Sequence, residues 1–252
     1  MSAKIVYGLF VILCCLSCNP PLEQLPKDIN AVYYDAAKAP FYHGIASGDP
    51  LKDQVIIWTR VSSSSAKAIE VKWAIGTDEK MANITTSGQT TTDESKDYTV
   101  KINVTGLRPN TTYYYQFEAL GKKSMIGRTK TTAVDNTDKV QLAIVSCSNY
   151  EAGYFNGFAR LAERADLDAV VHLGDYIYEY GPGTYGDTTL GKNRQHLPAK
   201  EIITLSDYRT RYAQYRLDPD FQKVHQQHPF ITIWDDHEFA NNLYQSGAEN
   251  HQ

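Results

Sequence analysis

The sequence predicts an all-β sandwich followed by an α/β unit, and three observations predict it. Between residues 41 and 132, short runs of alternating apolar and polar residues recur, separated by Ser-, Thr-, Gly- and Asp-rich stretches. From residue 138 onward the pattern changes to short, nearly continuous apolar runs that alternate with helical spacing. The 18 tyrosines against 3 methionines, with many Thr and Ser, favour pleated, half-buried surfaces in part of the chain.

A chain of 252 residues with 42% hydrophobic content can bury one large core or two ordinary ones. Its formal charge of −4 argues against a protein that relies on broad attraction to phosphate backbones, so no specific nucleic-acid binding is expected. Cysteine use is uneven. Cys14, Cys15 and Cys18 fall at the N-terminus and Cys147 stands alone in the body, which leaves no intrachain disulfide framework.

Residues 1–18 carry one Lys, an apolar run and small residues around Cys18, the pattern of a secretory signal too short to span a bilayer comfortably. The ending Leu16-Ser17-Cys18 resembles a bacterial lipoprotein processing site with Cys18 as the lipidated residue, although Cys15 stands three positions earlier where Leu is usual. The protein is therefore expected outside the cytoplasm, periplasmic or on the outer membrane or cell surface, held to the membrane by a lipid anchor. Residues 19–40, with Pro20, Pro21 and Pro26, read as a tether.

Within the β half, residues 53–61, 69–75, 98–104 and 111–120 alternate as strands, and the polar segments between them, residues 76–97 included, read as connections. The string GLRPNTTYYYQF, residues 106–117, resembles the tyrosine corner of fibronectin type III domains. Such a sandwich is a scaffold by default. Residues 129–139 are polar and mark the boundary.

Beyond it, residues 140–146 predict a buried strand, 153–164 a helix with Phe155, Phe158, Ala159 and Leu161 on one face, and 169–173 a second strand. This β-α-β unit requires parallel strands and a right-handed crossover. Residues 181–191, GPGTYGDTTLG, predict an exposed rim over a site. Ser206 is the expected N-cap of a helix over 207–217, and Asp218-Pro219 opens a second helix that Pro229 ends. Residues 230–234, FITIW, predict a third buried strand.

Each apolar strand ends in reactive side chains. The first is followed by Cys147 and Asn149, the second by Asp175 and Tyr178, the third by Asp235, Asp236, His237, Glu238, Asn241 and Asn242. Ligands in open α/β sheets bind beyond the carboxyl ends of the strands, where neighbours lie about 4.8 Å apart. Asp175 and Tyr178 are hard oxygen donors, suited to Ca²⁺, Mg²⁺, Mn²⁺ or ferric iron. Chemistry built on such a cluster is metal-assisted.

Structural readings stand beside these. A lone internal Cys is ordinarily a small buried hydrophobe. His172 lies inside a strand and reads as structural, whereas His225 and His228 flank a helix end and are expected to cap it or face solvent. His43 is expected to support the joint between the two halves. The run Tyr208, Arg209, Arg211, Tyr212, Tyr215 and Arg216 suits phosphate gathering and helix packing equally. A Cys–His nucleophile is disfavoured, because nothing near Cys147 has a protease signature.

The strings FYHGIASGDP, VIIWTRV, IVSCSNY, VVHLGDYIYEYG, YRTRYAQYRLDPD and ITIWDDHEFANN resemble the PhoD-like family of alkaline phosphatases and phosphodiesterases, from residue 41 to the C-terminus. The resemblance implies a metallophosphoesterase catalytic domain over 138–252, represented by its N-terminal portion. It implies hydrolysis of phosphate monoesters or diesters, on a small molecule or a polymer, with Fe³⁺ and Ca²⁺ or other divalent ions as cofactors. Carried over residue by residue, it makes Cys147 a thiolate ligand of ferric iron, Asp175 a carboxylate bridging two ions and Tyr178 a tyrosinate. Asp236 becomes a metal ligand and His237 the catalytic, substrate-facing or proton-donating histidine. Asn149, Asp235, Glu238 and Asn242 are implied as supporting or additional ligands, Asn242 on the calcium side.

Two departures stand out. The N-terminus has no Arg pair, and the chain stops fourteen residues after Glu238, leaving the family's later ligands without positions. The expectation is therefore the N-terminal part of a longer protein, inactive on its own. The alternative is a non-catalytic surface lipoprotein with a vestigial metal site.

Overall fold

Alternation along the β half becomes two facing sheets. A computed structural model of the chain describes residues 28–63, 67–135, 137–187, 189–191 and 193–249. The signal segment, Cys18 and the tether up to residue 27 lie outside the described residues. Residues 28–40 fold against the body, which corrects the tether reading for that stretch. Two 3-10 turns, Ile29–Tyr33 and Ala36–Lys38, are each capped by an aspartate, and the buried Asn30 donates to the Thr210 carbonyl at 3.0 Å.

Eight strands follow: β1 Ile45–Gly48, β2 Gln54–Arg60, β3 Ile69–Gly76, β4 Ile84–Thr92, β5 Thr99–Thr105, β6 Thr112–Ala119, β7 Lys122–Lys123 and β8 Gly127–Lys130. One sheet runs β4-β3-β6-β7, with β8 also on β6. Across from it lie β5, β2 and β1, and inward residues such as Ile45, Val55, Ile57, Val71, Ile75, Tyr115 and Phe117 close the core between. The Tyr113 hydroxyl accepts the Arg108 amide at 2.8 Å and closes the turn before β6.

β4 overturns the reading of residues 84–92 as a connection. ITTSGQTTT has no apolar face for periodicity to detect, because it is an edge strand with one partner, β3. Gly88 in its middle leaves room for the Trp73 ring, whose nearest atom would lie 2.8 Å from an added Cβ.

The C-terminal half supplies β9 Leu142–Val145, α1 Asn156–Ala162, β10 Ala169–His172, α2 Leu205–Tyr215, α3 Pro219–Gln227 and β11 Pro229–Thr232. β9, β10 and β11 are parallel neighbours with β10 in the centre. β11 also pairs in parallel with β1, so one six-stranded sheet, β5-β2-β1-β11-β10-β9, runs through both halves. Nothing in the sequence marked β1 as the shared strand.

The helices bury Ala143, Val170 and Phe230 against Phe158, Tyr215, Phe221 and Val224. The strands predicted as fully buried are buried on that face alone: Leu142, Ile144, Ile231 and Ile233 are exposed on the other. Thr204, not Ser206, caps α2, in a reciprocal capping box with Asp207. Asp218 caps α3 with Pro219 in its first turn, as predicted.

Candidate metal centre

Three loops at the carboxyl ends of β9, β10 and β11 meet. Cys147 and Asp175 both adopt left-handed backbone, at φ 57° and 54°, and Asn242 does the same at φ 53°. Each costs about 1–2 kcal/mol for an L-residue, and such conformations gather where function sets the geometry. The first two loops are tied by backbone bonds, from the Cys147 amide to the Gly174 carbonyl (3.2 Å) and from the Ser148 amide to the Asp175 carbonyl (2.8 Å). Gly174 passes so close to the third loop that an added Cβ would lie 2.4 Å from the Asp235 nitrogen.

Glu238 joins the second and third loops. Its carboxylate accepts the amides of Asp175 (3.1 Å), Asp235 (2.8 Å) and Tyr176. Of the supporting residues implied by the sequence, Glu238 thus acts on the backbone, while Asp235 accepts the Asp236 amide at 3.0 Å. Asn242 reaches Asp236 through its backbone, its amide donating to Oδ2 at 2.6 Å. Asn149 is turned to the neighbouring loop, donating to the Tyr185 carbonyl at 3.4 Å and accepting the Glu151 amide at 3.0 Å.

The result is a pocket of hard donors. Asp175, Asp236 and His237 each offer a ligand atom, and all three atoms lie within 4.8 Å of one another. Tyr178 donates from its hydroxyl to Asp175 Oδ2 at 3.2 Å. Cys147 neighbours both Asp175 and Tyr178 but is exposed, contrary to the expectation of a buried thiol. Asp175 Oδ1 is buried without a hydrogen-bond partner. A buried carboxylate oxygen left bare beside an imidazole and a second carboxylate is the donor set a hard cation fits.

The electrostatics agree. Burial raises the Asp175 pKa, against the pull of the His237 charge and the hydrogen bond from Tyr178. Burial and then the Asp175 charge hold the Tyr178 phenol strongly protonated. Burial alone would depress His237, but the hydrogen bond and charge of Glu179, with Asp175 and Asp236 beyond, raise it.

Glu179 is the residue that sequence reasoning left without a role. It is wholly buried, accepts His237 Nδ1 at 2.8 Å and accepts the Asn241 amide at 2.6 Å. The available signal was a carboxylate among aromatics in DYIYEY, since Glu is almost never fully buried unless paired. The Gly- and Thr-rich segment does cover the site: Tyr185 stacks on Tyr180 at 4.9 Å and meets the His237 ring edge-on at 4.9 Å.

The other histidines sort differently. His172 faces the Ser148 hydroxyl at 2.9 Å inside β10. His228 is the C-cap of α3, as one of the two readings had it, but both His225 and His228 are buried rather than solvent-facing, His228 bonded to the Leu161 carbonyl at 3.0 Å. Within the arginine run, Arg211 serves packing: fully buried, it donates to the carbonyls of Tyr178, Tyr180, Leu197, Pro198 and Lys200.

Family comparisons meet this geometry. A model of the PhoD-like phosphatase N-terminal domain matches residues 28–133, and the PhoD-like phosphatase model itself matches residues 142–252, which holds every residue of the pocket. The chain belongs to the PhoD-like phosphatases. It is 42% identical over 212 residues to alkaline phosphatase D of Bacillus subtilis (strain 168), covering 81% of this chain and 36% of that protein. A solved structure of PhoD superposes with a TM-score of 0.76 at 40% identity, covering 82% of this chain and 41% of that one. The chain thus spans well under half the length of these PhoD-like relatives.

Proposed function

We propose that this chain carries the first part of a metal-dependent phosphoesterase centre that hydrolyses phosphate monoesters or diesters. The observation that carries the reading is the bare, buried Oδ1 of Asp175 within a cluster of Asp175, Asp236 and His237, in a chain of the PhoD-like family. The β half is read as a fibronectin type III-like sandwich, and the α/β half as a metallophosphoesterase sheet.

Cys147, Asp175, Tyr178 and Asp236 would hold ferric iron, with calcium beside it. Such ions, when bound, polarise phosphoryl oxygens and lower the pKa of a water. The chain's own part is positional. Glu179 fixes the imidazole of His237 through Nδ1, so Nε2 is the nitrogen left to face the reacting phosphate. Protonated there, His237 delivers a proton to the departing alkoxide oxygen. Tyr185 limits water entry from the rim.

The test is hydrolysis of a chromogenic monoester and diester with added Fe³⁺, Ca²⁺ or Zn²⁺, with the visible spectrum recorded alongside. In a protein that carries this sequence together with the family's remaining metal ligands, turnover abolished by Asp175→Asn and a visible absorption band lost in Tyr178→Phe are expected. A colourless active protein holding only zinc contradicts the roles given to Tyr178 and Cys147. We also propose export with a lipid on Cys18. Partition into the detergent phase, lost in Cys18→Ala, supports it, and recovery as a soluble protein cleaved elsewhere contradicts it.

A further inference from the structure

Behind the metal pocket lies a cleft of about 780 Å³, between the outer faces of β1, β2 and β5 and the helix α2. Its floor contains a charge without a counter-charge. Arg216, the C-cap of α2, is 6% exposed. One terminal nitrogen donates to the carbonyls of His43 (3.3 Å) and Ile45 (2.9 Å), and its Nε has no partner. Among the described residues no carboxylate forms an ion pair with it.

Of the other buried arginines, Arg194 pairs with Asp218 at 2.7 Å, and Arg211 has no carboxylate partner but gives its donors to five carbonyls. The half-buried Arg60, in the wall of the same cleft, pairs with Asp97 at 2.9 Å and Asp28 at 3.4 Å. A buried cation left unpaired is costly unless something else completes it.

The surroundings specify what would complete it. His225, 4% exposed, faces the Tyr176 hydroxyl through Nε2 at 2.9 Å and leaves Nδ1 unpartnered. Burial and the charge of Arg216 keep that ring neutral. With Tyr176 donating to Nε2, Nδ1 carries a hydrogen and becomes a second unspent donor. Lys96, Lys101 and Arg209 add positive charge around the opening, against the carboxylates of Asp49 and Asp97, the latter already committed to Arg60. The walls are flat and apolar. Trp58 lies beneath the Arg216 guanidinium, 5.1 Å from ring centroid to carbon, and the exposed Trp234 also lines the cleft.

We propose that this cleft is a binding site, separate from the metal pocket, for an organic anion. Its carboxylate or phosphate is drawn to the charge of Arg216 beside the neutral His225 ring, and its aromatic or apolar body lies against Trp58 and Trp234. Two unspent buried donors at the floor of an aromatic-walled, net-cationic cleft match an acid group on a flat body. The site does not depend on the phosphoesterase reading. Its neighbours Tyr176 and Trp234 are each one residue from the metal pocket, next to Asp175 and Asp235, so occupancy would be felt there.

Fluorescence reads the site directly, because the cleft holds two of the chain's three tryptophans, while Trp73 lies on β3 in the other sheet. The full chain is titrated with benzoate, phenylphosphonate and the neutral benzyl alcohol. Saturable quenching by either anion, at least about tenfold tighter than by the alcohol, is expected. The preferred anion distinguishes a carboxylate from a phosphate ligand. Arg216→Met should weaken anion binding on the order of tenfold or more. Because Arg216 also holds β1 carbonyls, Ala46→Phe serves as the second variant: it fills the cleft from β1 while Arg216 stays in the chain, and it should abolish the response. Equal binding of alcohol and anions overturns the proposal. So does unchanged binding in Ala46→Phe, or a response that disappears in Asp175→Asn, which would place the anion in the metal pocket.

Discussion

The carboxylate of Glu179 and the imidazole of His237 meet at 2.8 Å, Oε2 to Nδ1, in a pair whose carboxylate is wholly buried. A carboxylate only accepts, so Nδ1 carries the hydrogen and Nε2 is the ring nitrogen that Glu179 does not engage.

Removing that carboxylate should lower the His237 pKa. In the metal-free protein the folded-state value is raised above the ordinary one, after burial has pulled it down and Glu179 has more than restored it. A raised folded pKa contributes stability that is fully present below the unfolded value of about 6.5 and is lost as pH rises through the folded value. Glu179→Gln should therefore lose stability relative to wild type mainly at acidic pH, with the gap narrowing above neutrality. Urea midpoints across pH, with the His237 ring resonance followed by NMR, check both parts. An unchanged His237 titration in Glu179→Gln contradicts the pairing.

Glu238 should matter for stability before it matters for chemistry. Glu238→Ala leaves the amides of Asp175, Tyr176 and Asp235 without their acceptor. At roughly 1–3 kcal/mol per unsatisfied buried amide, a loss of about 3 kcal/mol or more is expected. Glu238→Gln keeps one acceptor oxygen and should recover part of it. Equilibrium unfolding of the two variants beside wild type decides, and a loss under 1 kcal/mol in the alanine variant contradicts the role.

Arg211 should hold the chain from Tyr178 to Lys200 in place. Five carbonyl acceptors from that span converge on one buried guanidinium. A lysine cannot reproduce the fork, so Arg211→Lys should destabilise nearly as much as Arg211→Met, by about 3 kcal/mol or more. Faster amide exchange confined to residues 178–203 is the expected signature. Uniform acceleration across the protein would point to general destabilisation instead.

Local pattern carried much of the fold into view. Alternation in residues 53–61 and 69–75 announced β2 and β3, and Asp218-Pro219 announced the start of α3. What stayed hidden depended on tertiary partners. β4 is polar because its stability comes from pairing with β3, and β1 is too short for periodicity to register. The pocket was legible as residue types after strand ends, so Asp175, Asp236 and His237 could be named from the chain alone. Glu179 could not be placed, because its partner His237 lies 58 positions away and only folding brings them together.

The two loops on either side of Gly174 allow a final, sharply divided comparison. Gly174 has φ +100°, which L side chains rarely adopt, and a Cβ there would lie 2.4 Å from the Asp235 nitrogen. Gly174→Ala must therefore push the third loop away while straining its own backbone, at about 1–3 kcal/mol for the strain alone. Because Asp175 and Asp236 stand on opposite sides of that contact, the variant should also lose cation binding. Gly157 is the control. It lies in α1 with no atom within 4 Å of an added Cβ, so Gly157→Ala should stabilise by about 0.4–1 kcal/mol through reduced freedom of the unfolded chain. Thermal unfolding and binding of Mn²⁺, followed by proton relaxation, measure both variants. Opposite signs in stability, with Mn²⁺ binding lost only in Gly174→Ala, are expected. A Gly174→Ala protein that binds Mn²⁺ like wild type contradicts the close approach of the two loops as the determinant of the pocket.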